Sequence, residues 1–415
     1  MNASQIAELA PRLEVFTHRF EDCFTRMEQR GHAGRFIRGQ LSELPRKSLE
    51  PIALACGTPP RCLQEFFSRH TWREDLARNR VQEIVGREHA HPISLGIIDD
   101  TYFGKKGDKT PGTQRQWCGT KGTTDNCTVA VNMGYAAGSF HCLIDSELFL
   151  PESWSRDRAR CEEAGIPEHM VHRTKPVIAL ELLDRCRGNG VVFEWLGFDA
   201  GYGMDKEFLH ALNARGQRFL GEIPVHFFGW VNPPSVMLKE HGGPHLRRGR
   251  RYPRRHPGWA REFPRLKASN RRACSVKNLL LHSPALRDQP WEPFYIKDTL
   301  KGPAVWEAKH TVFSFKKGLA VTRPHRLLVC RQPLTGDIKY FITNAAAGIP
   351  TEVLLHVAFS RWHVEKCFQE EKSELGLHHF EVRNYRSMMR HFILTSMTHL
   401  FLAQELYRLA GPRGE

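Results

Sequence analysis

A carboxylate set between two cations is the first arrangement in this sequence able to do chemistry. Arg361, Glu365 and Lys372 lie within residues 351–375, a run free of Pro and Gly. Read as a helix, this run puts Arg361 and Glu365 one turn apart and Lys372 two turns further along the same stripe. A solvated i,i+4 ion pair has the same pattern, so the case for chemistry rests on acids elsewhere. Two apolar runs supply them: residues 93–98 end in Asp99 and Asp100, and residues 191–198 end in Asp199. Buried strands of this look deliver carboxylates at their C-terminal ends, although Asp also closes strands for reasons of turn geometry. Successive strand residues point to opposite faces, so only one of Asp99 and Asp100 can join a given site. Carboxylates converging from separate elements are the hard oxygen donors that two-metal phosphoryl transfer requires.

The elements that must position these acids can be read from periodicity. Residues 6–88 are predicted helical, with Phe16, Phe20 and Phe24 and then Leu63, Phe66 and Phe67 at helical spacing. Gly57 is a plausible C-cap, and Thr58-Pro-Pro60 turns the chain between two short helices, a helix-turn-helix pattern. After the first acids comes a basic, Gly-rich loop holding Lys105 and Lys106. Strands follow at residues 128–135 and 141–150, joined by a hairpin at residues 136–139. A helix at 175–186, a strand ending at Asp199, a helix at 205–215 and a strand at 219–223 give the βαβ alternation of a partly parallel sheet. Beyond residue 224 the pattern breaks into short strands, and a final apolar helix spans 387–409.

Composition points to the partner. The chain has 415 residues and a formal net charge of +15, which favours a polyanion, and it contains no apolar run long enough to cross a bilayer. Residues 247–277 carry about a dozen Lys and Arg against the single acid Glu262, with Tyr252, Trp259 and Phe263 interleaved. Aromatics between cations are what nucleic-acid strands stack on. Arg250, Arg251, Arg254, Arg255 and Trp259 are therefore candidate DNA contacts, with Lys105 and Lys106. The 11 cysteines form no CxxC pair, which fits a reducing cytoplasm. His169 and His172, and the His378-His379 pair, have no cysteine companions for a zinc site.

These residues resemble bacterial insertion-sequence transposases of the DDE type. The resemblance rests on Ile98-Asp-Asp-Thr101 with Lys105-Lys-Gly, on residues 114–120, on Asp125-Asn-Cys127, on Leu150-Pro-Glu-Ser-Trp154, on Gly197-Phe-Asp199-Ala-Gly-Tyr-Gly203 and on Arg361-Trp-His-Val-Glu365. It runs from about residue 15 to 405. It implies an α/β fold: a ribonuclease-H-like catalytic domain, a mixed sheet with flanking helices, interrupted by a mostly β insertion and preceded by a helical N-terminal domain. The expected division is 1–90 for the helical DNA-binding region, 91–223 and 307–415 for the two parts of the catalytic domain, and 224–306 for the basic insertion. The resemblance assigns the catalytic, metal-binding acids to Asp100, Asp199 and Glu365, with Asp99 the rival to Asp100. It makes Arg361 and Lys372 holders of DNA phosphates. The family's signature places a Tyr where this chain has Ala358.

The implied activity is cut-and-paste transposition with two Mg²⁺ ions, Mn²⁺ being a possible substitute. The implied partners are double-stranded DNA, as transposon terminal repeats and target, and a second copy of the chain in a synaptic homodimer. The expected location is the bacterial cytoplasm, at the nucleoid. Some relatives stack a flipped base on a Trp of the insertion, for which Trp259, Trp291 and Trp306 are candidates. The alternatives are a transposase-derived DNA-binding protein without catalysis and a nuclease of the same fold that never joins strands.

Overall fold

The computed structural model describes residues 3–410 except 120, 240–245, 248–249, 252–262, 267–271, 300–301 and 318–319. It divides into two compact units, one of Met1–Phe198 with Phe359–Glu415 and the other of Asp199–Ala358.

The first unit begins with α1 (Ala3–His18), α2 (Met27–Gln40), α3 (Leu49–Ala55), α4 (Pro60–Ser68) and α5 (Glu74–Glu88). Gly57 ends the α3 turn at φ 62°, the left-handed conformation that a C-cap glycine adopts at no steric cost. Strands β1 (Leu95–Gly104), β2 (Gln114–Cys118), β3 (Thr123–Ala137) and β4 (Phe140–Phe149) follow. Then come α6 (Glu152–Arg156), α7 (Arg158–Glu163), α8 (Lys175–Gly188) and β5 (Trp195–Phe198). β1 pairs antiparallel with β3 and parallel with β5, and β3 also pairs with β2 and β4. The β3–β4 hairpin forms where the sequence placed it, at Gly138 with φ 57°. β2 lies inside the stretch expected to be loop. Its five residues alternate too weakly to stand out, and the pairing of Arg115 with Asn126 and Trp117 with Thr124 secures it.

The unit closes with α14 (Trp362–Ser373) and α15 (Tyr385–Ala410). α15 is buried along most of its length. Phe103 of β1 packs in one core cluster with Phe380, Met388 and Phe392. The opposite face of β1 carries Tyr102, whose ring lies 5.2 Å from Lys175 Nζ of α8. Different helices therefore cover the two faces of β1, and residue parity decides which helix a side chain meets.

The second unit opens with α9 (Ala200–Gly203), α10 (Lys206–Ala214), β6 (Phe219–Ile223), β7 (Phe228–Trp230) and β8 (Val236–Lys239). β9 (Leu246–Arg247), β10 (Arg250–Arg251), β11 (Phe263–Leu266), β12 (Cys274–Ser275), α11 (Val276–His282) and α12 (Pro284–Arg287) come next. It ends with β13 (Glu292–Thr299), β14 (Gly302–Lys317), β15 (Ala320–Val321), β16 (His325–Arg331), β17 (Ile338–Thr343) and α13 (Thr351–Ser360), the last two residues of α13 falling in the first unit. Within it β6, β17, β16 and β14 pair in succession, all antiparallel. With the parallel pair of the first unit, the chain is mixed α/β. Among the described residues no helix is long and apolar enough to cross a membrane, and the cysteines are free thiols.

Candidate active site

The expected single helix over residues 351–375 is interrupted at Arg361, which caps α14 in a near-helical conformation (φ −56°, ψ −24°). Glu365 consequently sits in the first turn of α14, and Arg361 still reaches it: Nη2 lies 3.2 Å from Glu365 Oε1. The other arm of the same guanidinium donates to Asp99 Oδ2 at 2.7 Å. One arginine thus holds together an acid from the middle of β1 and an acid from α14. Glu365 remains open to solvent, with 63% of its side chain exposed against 17% for Asp99.

Asp100 is elsewhere. Its Oδ2 accepts from Lys175 Nζ at 2.6 Å and from the Tyr102 hydroxyl at 3.4 Å, on the face of β1 that α8 covers. The cause is the alternation recognised in the sequence: Asp99 shares parity with Phe103 and the α14–α15 face, and Asp100 shares parity with Tyr102. The structure therefore gathers Asp99, not the expected Asp100, with Glu365 and Arg361. Nothing in the sequence marked Lys175 as a partner, because it reads there only as the start of a helix.

Asp199 is the next residue after Phe198, which stands opposite Ile98 in the parallel β1–β5 register. It opens the second unit as the cap of α9, its Oδ1 accepting from Gly201 N at 2.9 Å and Tyr202 N at 3.2 Å. Gly203 ends this loop against β6, where an added Cβ would stand 1.8 Å from the Glu222 carbonyl oxygen. Only glycine fits there, which accounts for the second glycine of Gly201-Tyr-Gly203 after the acid.

The expected phosphate holders separate into groups. Lys372 is half-buried, its ammonium 5.8 Å from the Phe103 ring and 5.9 Å from Phe368. Lys105 lies 3.6 Å over the Phe380 ring and donates to the Phe380 carbonyl at 2.9 Å. Burial lowers both ammonium pKa values, that of Lys105 to about 8. Lys106 is exposed. Arg250 and Arg251 form β10, paired with β9, whereas Arg254, Arg255 and Trp259 lie outside the described residues. Trp291 stacks with Lys309 and Arg331, at 4.7 and 4.4 Å, and Trp306 is a β14 residue opposite Phe294.

Carboxylate oxygens are the donors that Mg²⁺ and Mn²⁺ take, and Asp99 and Glu365 already face one shared cation, the Arg361 guanidinium. Among the described residues no three His, Cys, Asp or Glu side chains are gathered as a metal-binding group. The donor type fits a hard divalent ion, and the set assembled here is a pair.

Comparison with known proteins agrees with this chemistry. Residues 19–280 match the model of a family described as DDE superfamily endonuclease. A protein of Microchaete diplosiphon described as "Probable transposase for insertion sequence element IS701" is 34% identical over 199 residues, 47% of this chain and 49% of that protein. The match spans about half the length of that curated relative.

Proposed function

This chain belongs to the DDE superfamily endonucleases, and from that premise we propose that it is an insertion-sequence transposase that cuts DNA at element ends and joins them to target DNA. The observation that carries the reading is the Arg361 bridge. It brings Asp99 and Glu365 onto one cation although Arg361 and Asp99 are 262 positions apart in sequence. We take Asp99 as the first metal-binding acid in place of Asp100, with Asp199 and Glu365 completing the set in a ribonuclease-H-like domain.

Divalent ions, when bound, would supply Lewis acidity at the scissile phosphate and a more acidic attacking water or hydroxyl. The chain's own residues do the rest. The carboxylates of Asp99 and Glu365 become available together when Arg361 turns away. Its forked guanidinium suits a DNA phosphate, the more weakly solvated anion-binding role that arginine fills well. Lys372 adds a second, fixed positive charge to the same strand. Asp100 stays with Lys175 and fixes the strand that presents Asp99. The helices before residue 90 and the basic segment containing Arg250, Arg251, Arg254, Arg255 and Trp259 would hold the rest of the DNA. Pairing of two ends calls for a homodimer on DNA, acting at the nucleoid in the cytoplasm.

The test is incubation of the purified protein with DNA flanking its reading frame and Mg²⁺, with cleavage mapped at nucleotide resolution. Strand-specific cuts at the element ends, followed by joining of a pre-cut 3′ end to plasmid DNA, are expected. Cutting without joining would leave a nuclease, and no cutting by a folded protein would leave a DNA-binding protein.

A further inference from the structure

Beside the acids, three groups able to carry positive charge stand together, with the carboxylates of Glu381, Glu371 and Asp99 acting on the two lysines from a distance. Lys105 follows β1, Lys372 ends α14, and His378 lies in the turn after α14. Among the described residues none of the three forms an ion pair with a carboxylate, although the chain has many that do. Their floor is aromatic and rigid. The Phe103 and Phe380 rings meet edge to face at 5.0 Å; Lys105 is laid over Phe380 and Lys372 over Phe103. Cation–π contact of this kind holds an ammonium in place without neutralising it. His378 reaches solvent at one edge; partial burial of its imidazole and then the neighbouring charges of His379, Lys372 and Lys105 lower its pKa, against a hydrogen bond to the Lys372 backbone.

Partly desolvated like charges repel, so such a cluster is costly until an anion joins it. Its place identifies the anion. Phe103 has the parity of Asp99 on β1, and the charge of Asp99 is among those acting on Lys372. A basic protein that holds DNA at these acids would present this patch to the sugar–phosphate backbone.

We propose that Lys105, Lys372 and His378 form one phosphodiester-binding subsite on the Phe103–Phe380 floor, holding a backbone phosphate of the DNA strand next to the one that is cut. This rests on the function proposed above, joins Lys105 to Lys372 as one unit, and adds His378 to it. A bound phosphate stabilises the protonated imidazole, so the subsite holds DNA most tightly when His378 is charged and loosens as pH rises.

The experiment measures binding of a fluorescein-labelled DNA duplex to the full chain, without divalent ion, across a salt series. Near pH 6, His378→Ala and Lys105→Met should each reduce the slope of log K against log salt by about 0.9, and the double variant by about twice that. Near pH 8.5 the His378→Ala variant should match the wild type. Unchanged slopes near pH 6 in variants with wild-type circular dichroism would overturn the subsite while leaving the transposase reading intact. A wild-type protein that binds no duplex would overturn both. Displacement of duplex from the wild type, but not from His378→Ala, by millimolar inorganic phosphate at matched ionic strength would show that the site takes free phosphate, and would also overturn the proposal.

Discussion

Two places along α14 set a pair of carboxylates around a shared cation. At its start, Asp99 and Glu365 share Arg361. Five residues further on, Glu370 and Glu371 share His399 of α15: Nδ1 lies 2.9 Å from Glu371 Oε1 and Nε2 3.3 Å from Glu370 Oε2. His141 of β4 approaches Glu370 at 3.4 Å. The charge patterns match; the surroundings do not. Glu365 is 63% exposed, whereas Glu371 and His399 are each 1% exposed. In water an ion pair is weak and its cation exchanges readily. In the core, losing one partner strands the other. On the proposed function the first group would trade its cation for another, while the second ties α14, which carries Glu365, to α15.

The largest effect should come from the open pair. Asp99→Asn and Glu365→Gln should each lower cleavage of end DNA by at least ~10³-fold while leaving duplex binding within a few-fold. Asp100→Asn should retain a tenth or more of the activity, roughly, because Asp100 pairs with Lys175 on the other face of β1 from Asp99. Gel-based cleavage assays decide between them. If Asp100→Asn is the inactive variant and Asp99→Asn the active one, the open pair is not the site and the comparison collapses.

The buried group should answer in stability. His399→Leu leaves Glu370 and Glu371 facing each other without their imidazolium, and should destabilise the fold by ~3 kcal/mol in urea titrations. Glu365→Gln should leave the urea midpoint nearly unchanged. The pH dependence follows from the same group. Hydrogen bonds and charge from Glu370 and Glu371 outweigh burial and raise the pKa of His399 from 6.5 to about 9. A raised histidine stabilises the fold fully below its unfolded value and loses that contribution as pH climbs through the folded value. Stability should thus fall between about pH 6.5 and 9, and burial of Glu371, which raises its pKa, works in the same direction. His141, Lys366, Cys142 and Cys367 also face this group. Urea midpoints across this range should slope downward in the wild type and flatten in His399→Leu.

How much of this could be read in advance differs along the helix. Residue types and spacing sufficed for Glu365 and Arg361, because an i,i+4 pair survives even where the helix is broken at Arg361. The limits of β4, α8, β6 and α15 were legible from apolar periodicity and Gly positions, whereas β3 begins at Thr123, five residues before the expected start at 128. The choice between Asp99 and Asp100 was not, since both faces of β1 are covered and the apolar run has no polar face to set its phase. Lys175 and His399 were invisible for a related reason: their partners come from β1 and α14, distant in sequence, and neither spacing nor composition encodes such pairings. Trp117, Arg115 and the rest of β2 were hidden in a Gly-rich stretch that becomes a strand only through pairing with β3.

The finest distinction between the two groups is the exchangeability of the cation itself. If Arg361 occupies ground that a divalent ion must take between Asp99 and Glu365, removing its charge should strengthen ion binding in the absence of DNA. Arg361→Gln should bind Mn²⁺ several-fold more tightly than the wild type, a change of about 1 kcal/mol, as read by electron paramagnetic resonance titration. Asp99→Asn should weaken the same binding. DNA supplies phosphates that draw the guanidinium away, so duplex should raise the Mn²⁺ affinity of the wild type and, by the reciprocity of linked equilibria, Mn²⁺ should raise its affinity for duplex. Arg361→Gln should lose most of that coupling because its side chain no longer competes. Equal Mn²⁺ affinities for the wild type and Arg361→Gln, with Asp99→Asn weakened, would mean that the arginine and the ion occupy different places, and that the open pair is distinguished from the buried one by solvent alone.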